Sequence, residues 1–491
     1  MKKKTHQSLI TTQVVGIIDR MFKPSPIKDA TIDGALEYFA AQSDIEKANN
    51  DFAQRAHQYA EESDKDDGSK ASKIERKVAT LDNERAEFEQ LQKFDRSERS
   101  ERLNLLCYDI LELTEGETFA ETNRKSAQVL GTIQLLSHTE GSQIAQTNEL
   151  HKALYKGVLT LRLLDKLIID GGTNHAYIKH FLGEYTLDNY KDFKRMDEAA
   201  YATFVHEVKV PVLKAAILQD IGNYHPNAQD ILYGKDKSLD PYRTLEIDER
   251  KSLLQINYRE TVKYLVEGIG QGRYLGNSKK DREVFEKQEV RKLKFMKELL
   301  RSAITPKEGL GNLLKVPQIY VSIVLSTKPS YKYKLIPKVY QVLRQNAERG
   351  QCSEKVVESL YQITGMFPQG YGVTYLAVDA AGHSLERYEY AIVNHLYPEN
   401  PEEPECRIAT RQLTFISYGS DIRIHKSENL YFPESAKRLA SISRARLEEI
   451  LEKLVSNYQE RIELDLIPRC WHPREFFSIK ENQKLWNKSS K

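Results

Sequence analysis

The end of one helix carries residue types that can do chemistry. Its apolar pattern predicts a helix that starts at Thr203 or Pro211 and ends at Ile221, where Gly222 suits the C-cap. Asp220 places a carboxylate at this end, and His225 follows it with an imidazole. Divalent iron and manganese bind such donors, although each ion needs several of them. His225 also fits a simpler role as a helix cap or loop residue.

Three more histidines, His175, His180 and His206, lie between this helix and the helix before it. A replacement metal site built from them is one hypothesis. The first two are five positions apart, whereas a helical metal pair needs a separation of four. The spacing therefore does not favour such a site.

A glycine-rich run ends at Arg273. Gly268, Gly270 and Gly272 precede this arginine, and a loop of this kind can approach a nucleotide phosphate. No strand is predicted before the run, and a mobile surface loop explains the same residues. Arg273 is thus a candidate ligand-binding residue with that alternative beside it.

Composition predicts an ordinary soluble protein. The 491 residues suffice for two or three domains, 40% of them are hydrophobic, and the net charge is only +2, so no nucleic-acid partner is expected. Basic clusters at 279–280 and 291–294 alternate with acids and are interpreted as solvated helix faces.

The cysteines give no sign of a zinc site or a disulfide framework. Cys107, Cys352, Cys406 and Cys470 are scattered without CxxC spacing, which fits a reducing compartment. No apolar stretch approaches the roughly 20 residues that a membrane-spanning helix needs. A cytoplasmic location is therefore predicted.

Changes in composition predict four regions. Residues 1–60 form a small N-terminal region, and residues 61–104 form a charged linker followed by an exposed helix around 74–100. Residues 105–370 form a helical domain, and residues 371–491 add a β-hairpin extension and a C-terminal helix. Residues 61–70 contain no apolar side chain, so a loop or disorder is expected there.

Periodicity predicts a mainly α protein of the bundle type with a small antiparallel β segment. Besides the helix that ends at Ile221, helices are predicted over 154–169, 248–265, 281–303, 335–348, 353–364 and 434–459. Strands are predicted over 372–378, 387–393, 407–416 and 422–425.

Several segments, in this order, carry a resemblance to a known family. They are Gln219-Asp220-Ile221-Gly222-Asn223, Pro226 with Ile231-Leu232, and the segments 316–319, 328–332, 365–370 and 393–395. From His151 to about Ala409, roughly half the chain, the sequence resembles the HD-GYP domain of the HD superfamily of metal-dependent phosphohydrolases. The resemblance implies an HD-type helical bundle that binds two or three iron or manganese ions and hydrolyses cyclic di-GMP.

The same resemblance implies which ligands are kept. His151 corresponds to the family's first histidine, and Asp220 to the aspartate of its His-Asp pair. Gln219 replaces the histidine of that pair, Asn223 replaces a lysine, and Asn257 stands near the position of the next histidine. The family's His-His-Glu and Gly-Tyr-Pro motifs are missing after residue 267, and no acid occurs at 321–325.

This inventory predicts a non-catalytic protein. A two-metal phosphodiesterase must hold two ions about 3.5–4 Å apart, and His151, Asp220 and a recruited His225 supply too few ligands. No cofactor is expected, or divalent iron or manganese if the protein is active. The alternative is a phosphohydrolase that uses those three residues in a rearranged site.

The expected role is therefore that of a cyclic-dinucleotide sensor or a protein-interaction module in bacterial signalling. Gln219, Asn223, Asn257 and Arg273 are the candidate ligand-binding residues. Cyclic di-GMP and signalling proteins are the expected partners. A helical scaffold is a further alternative, in which the exposed helix around 74–100 forms a homodimer.

Overall fold

The computed structural model describes residues 8–23, 26–27, 29–65, 71–138, 141–185, 189–304, 306, 309–378, 384–439, 448 and 468–487. The protein is mainly α with a small antiparallel sheet, as predicted. It divides into two compact units. The first unit contains Met1–Ile18, Cys107–Ile217 and Glu298–Lys491, and the second contains Asp19–Leu106 and Leu218–Lys297. The four sequence-based regions stay a prediction.

Helices make up most of both units. The described α-helices are α1 (Leu9–Phe22), α2 (Thr31–Asp64), α3 (Ala71–Thr114), α4 (Phe119–Leu136), α5 (Ile144–Ile169), α6 (Ala176–Leu182), α7 (Phe193–Met196), α8 (Glu198–Phe204), α9 (Val210–Leu218), α10 (Pro226–Tyr233), α11 (Ile247–Lys263), α12 (Lys279–Ser302), α13 (Asn312–Val324), α14 (Val339–Glu348), α15 (Glu354–Thr364), α16 (Pro433–Leu439) and α17 (Arg474–Ser478). Short 3₁₀ segments cover Tyr190–Asp192, Ile221–Tyr224, Tyr333–Lys338 and Lys480–Lys484, and π-helical segments cover Val205–Lys209 and Tyr264–Ile269.

The sheet of the first unit has four antiparallel strands in the order β1-β2-β3-β6. They are β1 (Gly372–Val378), β2 (Ser384–Val393), β3 (Glu405–Ile408) and β6 (Asp421–Arg423), and β4 (Thr410–Arg411) pairs separately with β5 (Thr414–Phe415). Gly372 faces Ile392 in the β1–β2 register. Trp471 stacks on Tyr390 with ring centroids 4.7 Å apart, so the chain after residue 468 helps to build the core beside the sheet.

The strand predicted over 407–416 is wrong in its middle. A turn separates β4 from β5, and Gln412 and Leu413 adopt φ values of 51° and 57°. The buried Glu389 carboxylate accepts the N–H groups of both residues, at 2.7 and 3.1 Å. These charge-assisted bonds stabilise a conformation that non-glycine residues rarely adopt.

A helical hairpin, α2 with the first part of α3, dominates the second unit. Arg55 pairs with Glu84 at 2.8 Å, and Phe52 contacts Phe88 edge to face at 5.7 Å. The helix predicted around 74–100 is thus confirmed. The loop expected from residue 61 is wrong for 61–64, because α2 continues to Asp64; residues 66–70 lie outside the described residues.

The helix that carries Asp220 also differs from expectation. α9 ends at Leu218, and Gly222 lies in the following 3₁₀ segment rather than at a C-cap. Pro211 lies inside α9, directly after the π-helical segment. Proline cannot donate a backbone hydrogen bond and crowds the preceding turn, so a widened turn accommodates it there.

The C-terminal helix predicted over 434–459 is described only as α16 and at residue 448, and the rest lies outside the described residues. Within the part of the chain that the structure describes, no helix is long and apolar enough to cross a membrane.

Candidate functional site

The 3₁₀ turn after α9 lies against α11 in the second unit. The Gly222 N–H donates to Thr261 Oγ1 at 3.0 Å. A Cβ atom on Gly222 would come within 2.2 Å of the Asn257 carbonyl oxygen, so only glycine allows this approach. The sequence therefore needs Gly222 for close packing of backbone on backbone.

Asn257 ties the same two elements together through its side chain. Its Nδ2 donates to the Gln219 carbonyl oxygen at 3.3 Å, and its Oδ1 accepts from Thr261 Oγ1 at 3.3 Å. Both groups of the buried amide are therefore used between the turn and α11. The Gln219 side chain is buried too, and its Oε1 has no hydrogen-bond partner among the described residues.

Asp220 directly precedes this turn and Asn223 lies within it, and both residues are half-buried. The Asp220 carbonyl accepts the Asn223 N–H at 3.2 Å, and the Asn223 carbonyl accepts from Gln229 Nε2 at 2.7 Å. These contacts place Gln219, Asp220, Asn223 and Asn257 together beside the second half of α11.

His225 caps α10. Its Nδ1 accepts the Asn227 N–H at 3.2 Å, so the neutral ring carries its proton on Nε2. That nitrogen lies 3.9 Å from Glu260 Oε2, a buried oxygen without a hydrogen-bond partner in the described part of the chain. Burial lowers the pKa of His225, although the charge of Glu260 opposes this. A protonated Nε2 cannot ligate a metal.

His151 belongs to the first unit, on α5. Its Nδ1 lies 2.9 Å from Ser137 Oγ, whose own proton is directed to the Ile133 carbonyl. Nδ1 therefore donates, and Nε2 is the unprotonated nitrogen. Burial, and secondly the charge of His138, lowers the pKa of His151 to about 4. His151 is therefore neutral at physiological pH, and its Nε2 is unprotonated, as coordination of a metal ion requires.

The donor set does not fit a binuclear centre. Gln219 and Asn257 offer amides, which are weaker ligands than imidazoles, and His225 uses its free lone pair as a helix cap. Among the described residues, no group of three or more His, Cys, Asp or Glu side chains is arranged to hold a metal ion. The expectation that no cofactor binds stays a prediction.

His175, His180 and His206 contact different partners. His175 Nε2 lies 3.3 Å from Glu298 Oε1, and His206 Nδ1 lies 2.6 Å from the Tyr108 hydroxyl. The His180 ring packs edge to face on Phe181.

Arg273 lies on the wall of an open groove of about 830 Å³ in the second unit. We call it the α12 groove; its lining residues are Gln271, Gly272, Arg273, Tyr274, Arg282, Glu283, Glu286, Lys287, Val290 and Arg291. The Gly272 N–H does not face this groove as a free donor, because it donates to Glu289 Oε2 at 2.8 Å. Lys292 is buried and pairs with Glu289 at 2.7 Å, so the solvated face predicted at 291–294 is wrong at Lys292.

A buried charge network in the first unit escaped the sequence reasoning. Arg162, Asp165 and Lys209 are almost completely buried, and Glu115 lies beside them. Lys209 Nζ lies 3.0 Å from Glu115 Oε2 and 3.2 Å from Asp165 Oδ1. Arg162 pairs with Glu115, and its Nη2 lies 2.8 Å from Asp165 Oδ2 without hydrogen-bond geometry.

Two tyrosines complete this charge network. Tyr190 donates to Asp165 Oδ1 at 2.6 Å, and Tyr201 donates to Glu115 Oε2 at 2.9 Å. A cavity of about 30 Å³ borders the network and has room for one water molecule. The only sequence signal was the presence of Arg162, Asp165 and Lys209 within otherwise apolar helical stretches.

Comparison of the chain with family models, with curated proteins and with solved structures gives no match. The relation to the HD-GYP family therefore rests on the residues quoted above and stays a prediction.

Proposed function

We propose that this chain is a non-catalytic sensor of a cyclic dinucleotide in bacterial second-messenger signalling. The observation that carries the proposal is the role of Asn257. At a position where the resemblance implies a ligand histidine, its amide joins the turn at Gln219 to α11 and to Thr261.

This arrangement supports a protein that keeps its shape without bound ions. The turn and α11 are held by direct hydrogen bonds and by the backbone approach at Gly222. Apolar burial and such contacts can maintain a helical unit after metal ligands are lost. A binding role then needs only a surface that can recognise the ligand, and the open α12 groove, which Arg273 lines, is the candidate surface.

Metal content tests the non-catalytic part of the proposal. The full chain is expressed in medium supplied with iron and manganese, purified, and analysed by mass spectrometry. We expect negligible metal in the wild type and in both Asp220→Ala and Asp230→Ala, the second being an exposed aspartate on α10. About two ions per chain, lost only in Asp220→Ala, would instead support a phosphodiesterase with rearranged ligands.

Incubation with cyclic di-GMP tests the sensor part. We expect the wild-type chain to bind cyclic di-GMP and to release it intact, as judged by calorimetry and by chromatography of the recovered nucleotide. Appearance of a linear dinucleotide would contradict the proposal. Absence of any binding would leave the second candidate function.

That second candidate is a protein-interaction module. The side chains of Leu91 and Phe94 on α3 are 57% and 58% exposed, one turn apart on a long helix. Exposed apolar side chains at this spacing suit helix pairing. Under this function Leu91→Lys would convert a dimer into a monomer in sedimentation experiments, whereas Leu254→Lys, which alters a leucine of similar exposure on α11, would not.

A further inference from the structure

One stretch of the first unit carries positive charge without any acid. The whole chain is nearly balanced, with 73 lysines and arginines against 71 acids. Residues 309–347, in contrast, contain six lysines and arginines and no aspartate or glutamate. Four of the six are lysines between residues 328 and 338, and all four are exposed. They are Lys328, Lys332, Lys334 and Lys338.

The 3₁₀ segment Tyr333–Lys338 turns its apolar side chains inward and its lysines outward. Side chains three positions apart eclipse in such a helix. Tyr333 and Ile336 are three apart and buried, whereas Leu335 and Lys338 are three apart and exposed. On α14, Val342 is exposed one turn after Lys338. We call this outward side the basic face; its residues are Lys328, Lys332, Lys334, Leu335, Lys338 and Val342.

Contacts of Tyr333 hold the basic face in place from beneath. The Tyr333 hydroxyl accepts the Gly372 N–H at 2.9 Å, and its ring stacks on Tyr371 with centroids 4.8 Å apart. The same ring contacts His472, with centroids 4.5 Å apart. The 3₁₀ segment is thereby fixed to the start of β1 and to the chain after residue 468.

Acids do not neutralise the lysines of this segment. Lys332, Lys334 and Lys338 pair with no carboxylate among the residues that the structure describes. The next cation along the chain, Arg344, does pair, with Glu358 at 3.3 Å.

Apolar side chains accompany these lysines. Leu335 is 41% exposed and Val342 is 38% exposed. The basic face therefore presents unneutralised ammonium groups and apolar side chains together.

This combination suits the surface of an anionic membrane. Clusters of four or more lysines or arginines are attracted to negatively charged headgroups, and each such residue near the surface strengthens binding about 5-fold. Exposed apolar side chains among them can enter the boundary between headgroups and acyl chains. Such attraction requires no fixed hydrogen-bond geometry, and lysine is a flexible point charge.

A nucleic acid suits the basic face less well. Proteins that bind single strands stack the bases on exposed aromatic rings, but Tyr333 is buried and Tyr331 is half-buried. Paired hydrogen bonds to phosphate oxygens are formed by arginine, and the four cations of this face are all lysines.

We propose that the basic face binds the surface of a bilayer that contains anionic lipids, which makes the chain a peripheral membrane protein. Binding of this kind does not depend on the proposed nucleotide-binding function.

Co-sedimentation of the full chain with lipid vesicles tests the proposal. We expect binding to vesicles of equal parts phosphatidylcholine and phosphatidylglycerol, and none to vesicles of phosphatidylcholine alone. Raising the ionic strength from about 0.1 to 1 M should release the protein, because the Debye length falls from about 10 to 3 Å.

Two double variants that remove the same charge test whether binding is local to the basic face. Lys334→Gln with Lys338→Gln should weaken binding to the anionic vesicles about 25-fold, from about 5-fold for each lysine. Lys235→Gln with Lys237→Gln removes two exposed lysines of the second unit and should bind like the wild type. All four side chains are exposed, so the fold should be unaffected, and circular dichroism verifies this.

A DNA duplex of random sequence is the competing probe. We expect the wild type to bind it more weakly than the anionic vesicles at the same ionic strength. Binding of the duplex at least as tight would overturn the membrane assignment in favour of a nucleic acid. Failure to bind the anionic vesicles, equal binding to both vesicle compositions, or equal weakening by the two double variants would also overturn it.

Discussion

The ammonium group of Lys209 shows how much a single residue contributes to the first unit. It is buried between Glu115 and Asp165, and it lies 3.1 Å from the Tyr201 hydroxyl. Burial lowers the pKa of Lys209, but the two carboxylates outweigh burial and the net pKa is raised. Lys209 therefore remains charged, and its removal leaves the two acids with Arg162 alone.

Replacing Lys209 by methionine should destabilise the protein strongly. We expect the free energy of unfolding to fall by about 3–5 kcal/mol, because the change leaves uncompensated charge in a buried network. Urea unfolding followed by circular dichroism measures this. Lys194→Met is the matched control; Lys194 pairs with the exposed Glu117 at 2.8 Å, and its loss should amount to less than about 1 kcal/mol. Equal losses in the two variants would show that burial of the network does not matter.

Acid should weaken the same network. Burial raises the pKa of Glu115, but the charges of Arg162 and Lys209 outweigh burial and lower it from 4.5 to about 2. A carboxyl whose pKa is depressed in the folded state stabilises the protein above its unfolded pKa. This stabilisation, on the order of 3 kcal/mol, is lost as the pH falls from about 4.5 towards 2.

The matching experiment compares the wild type with Glu115→Gln by urea unfolding between pH 7 and pH 3. The wild type should be more stable at pH 7, and the difference should shrink as the pH falls below about 4.5. A difference that stays constant with pH would contradict the depressed pKa of Glu115.

At the scale of secondary-structure elements, the approach of the 3₁₀ turn to α11 depends on one glycine. Gly222→Ala would place a Cβ atom against the Asn257 backbone, which cannot move as a flexible side chain does. We expect a loss of about 1–3 kcal/mol in stability, measured by thermal unfolding.

Gly16→Ala is the control for this substitution. Gly16 lies within α1, and no atom comes within 4 Å of an added Cβ. Alanine should therefore stabilise α1 by about 0.5–1 kcal/mol through its higher helix propensity. If Gly222→Ala were as harmless as Gly16→Ala, the close approach of the turn to α11 would not exist in solution.

Periodicity predicted most elements because their burial is regular. The helices expected over 248–265, 281–303 and 353–364 correspond to α11, α12 and α15 with shifts of a few residues at the ends, and β1 matches its prediction. The π-helical segments at Val205–Lys209 and Tyr264–Ile269 could not be predicted. A π-helical turn widens the helix at one point only, and the apolar residues on either side of it still follow the ordinary helical spacing.

The candidate site was predictable only where residues are close in sequence. Gln219, Asp220 and Asn223 were singled out from one stretch, and they do lie on one turn. The contacts of this turn with Asn257 and Thr261 depend on how α11 packs, which the local sequence does not encode. The ion pair between Arg162 and Glu115 could not be predicted from the sequence either, because 47 positions separate the two residues.

The whole molecule is organised in two units that do not follow the order of the chain. The second unit is built from Asp19–Leu106 and Leu218–Lys297, so the hairpin α2–α3 and the α12 groove belong to the same unit. The two parts are distant in sequence: Arg96 on α3 donates a hydrogen bond to Glu267, about 170 positions further along the chain. The first unit holds the buried charge network and the sheet. The changes in composition along the chain mark four consecutive regions, so they do not reveal units that are built from separate segments.

The division into two units predicts which part of the chain a bound nucleotide would protect from amide hydrogen exchange. Cyclic di-GMP bound in the α12 groove should slow amide hydrogen exchange in peptides that cover residues 271–291, because binding disfavours local opening of the loop and of α12. Peptides that cover the buried charge network at residues 115 and 162–165 are the internal control, since they belong to the first unit. At a nucleotide concentration about 100 times Kd, the linked stabilisation of the binding-competent state is about 2.7 kcal/mol, well within the range of this measurement. Protection confined to residues 271–291 would locate the ligand at the groove, protection around residues 219–225 and 257 would place it at the turn on α11, and unchanged exchange in both would refute a nucleotide-binding role.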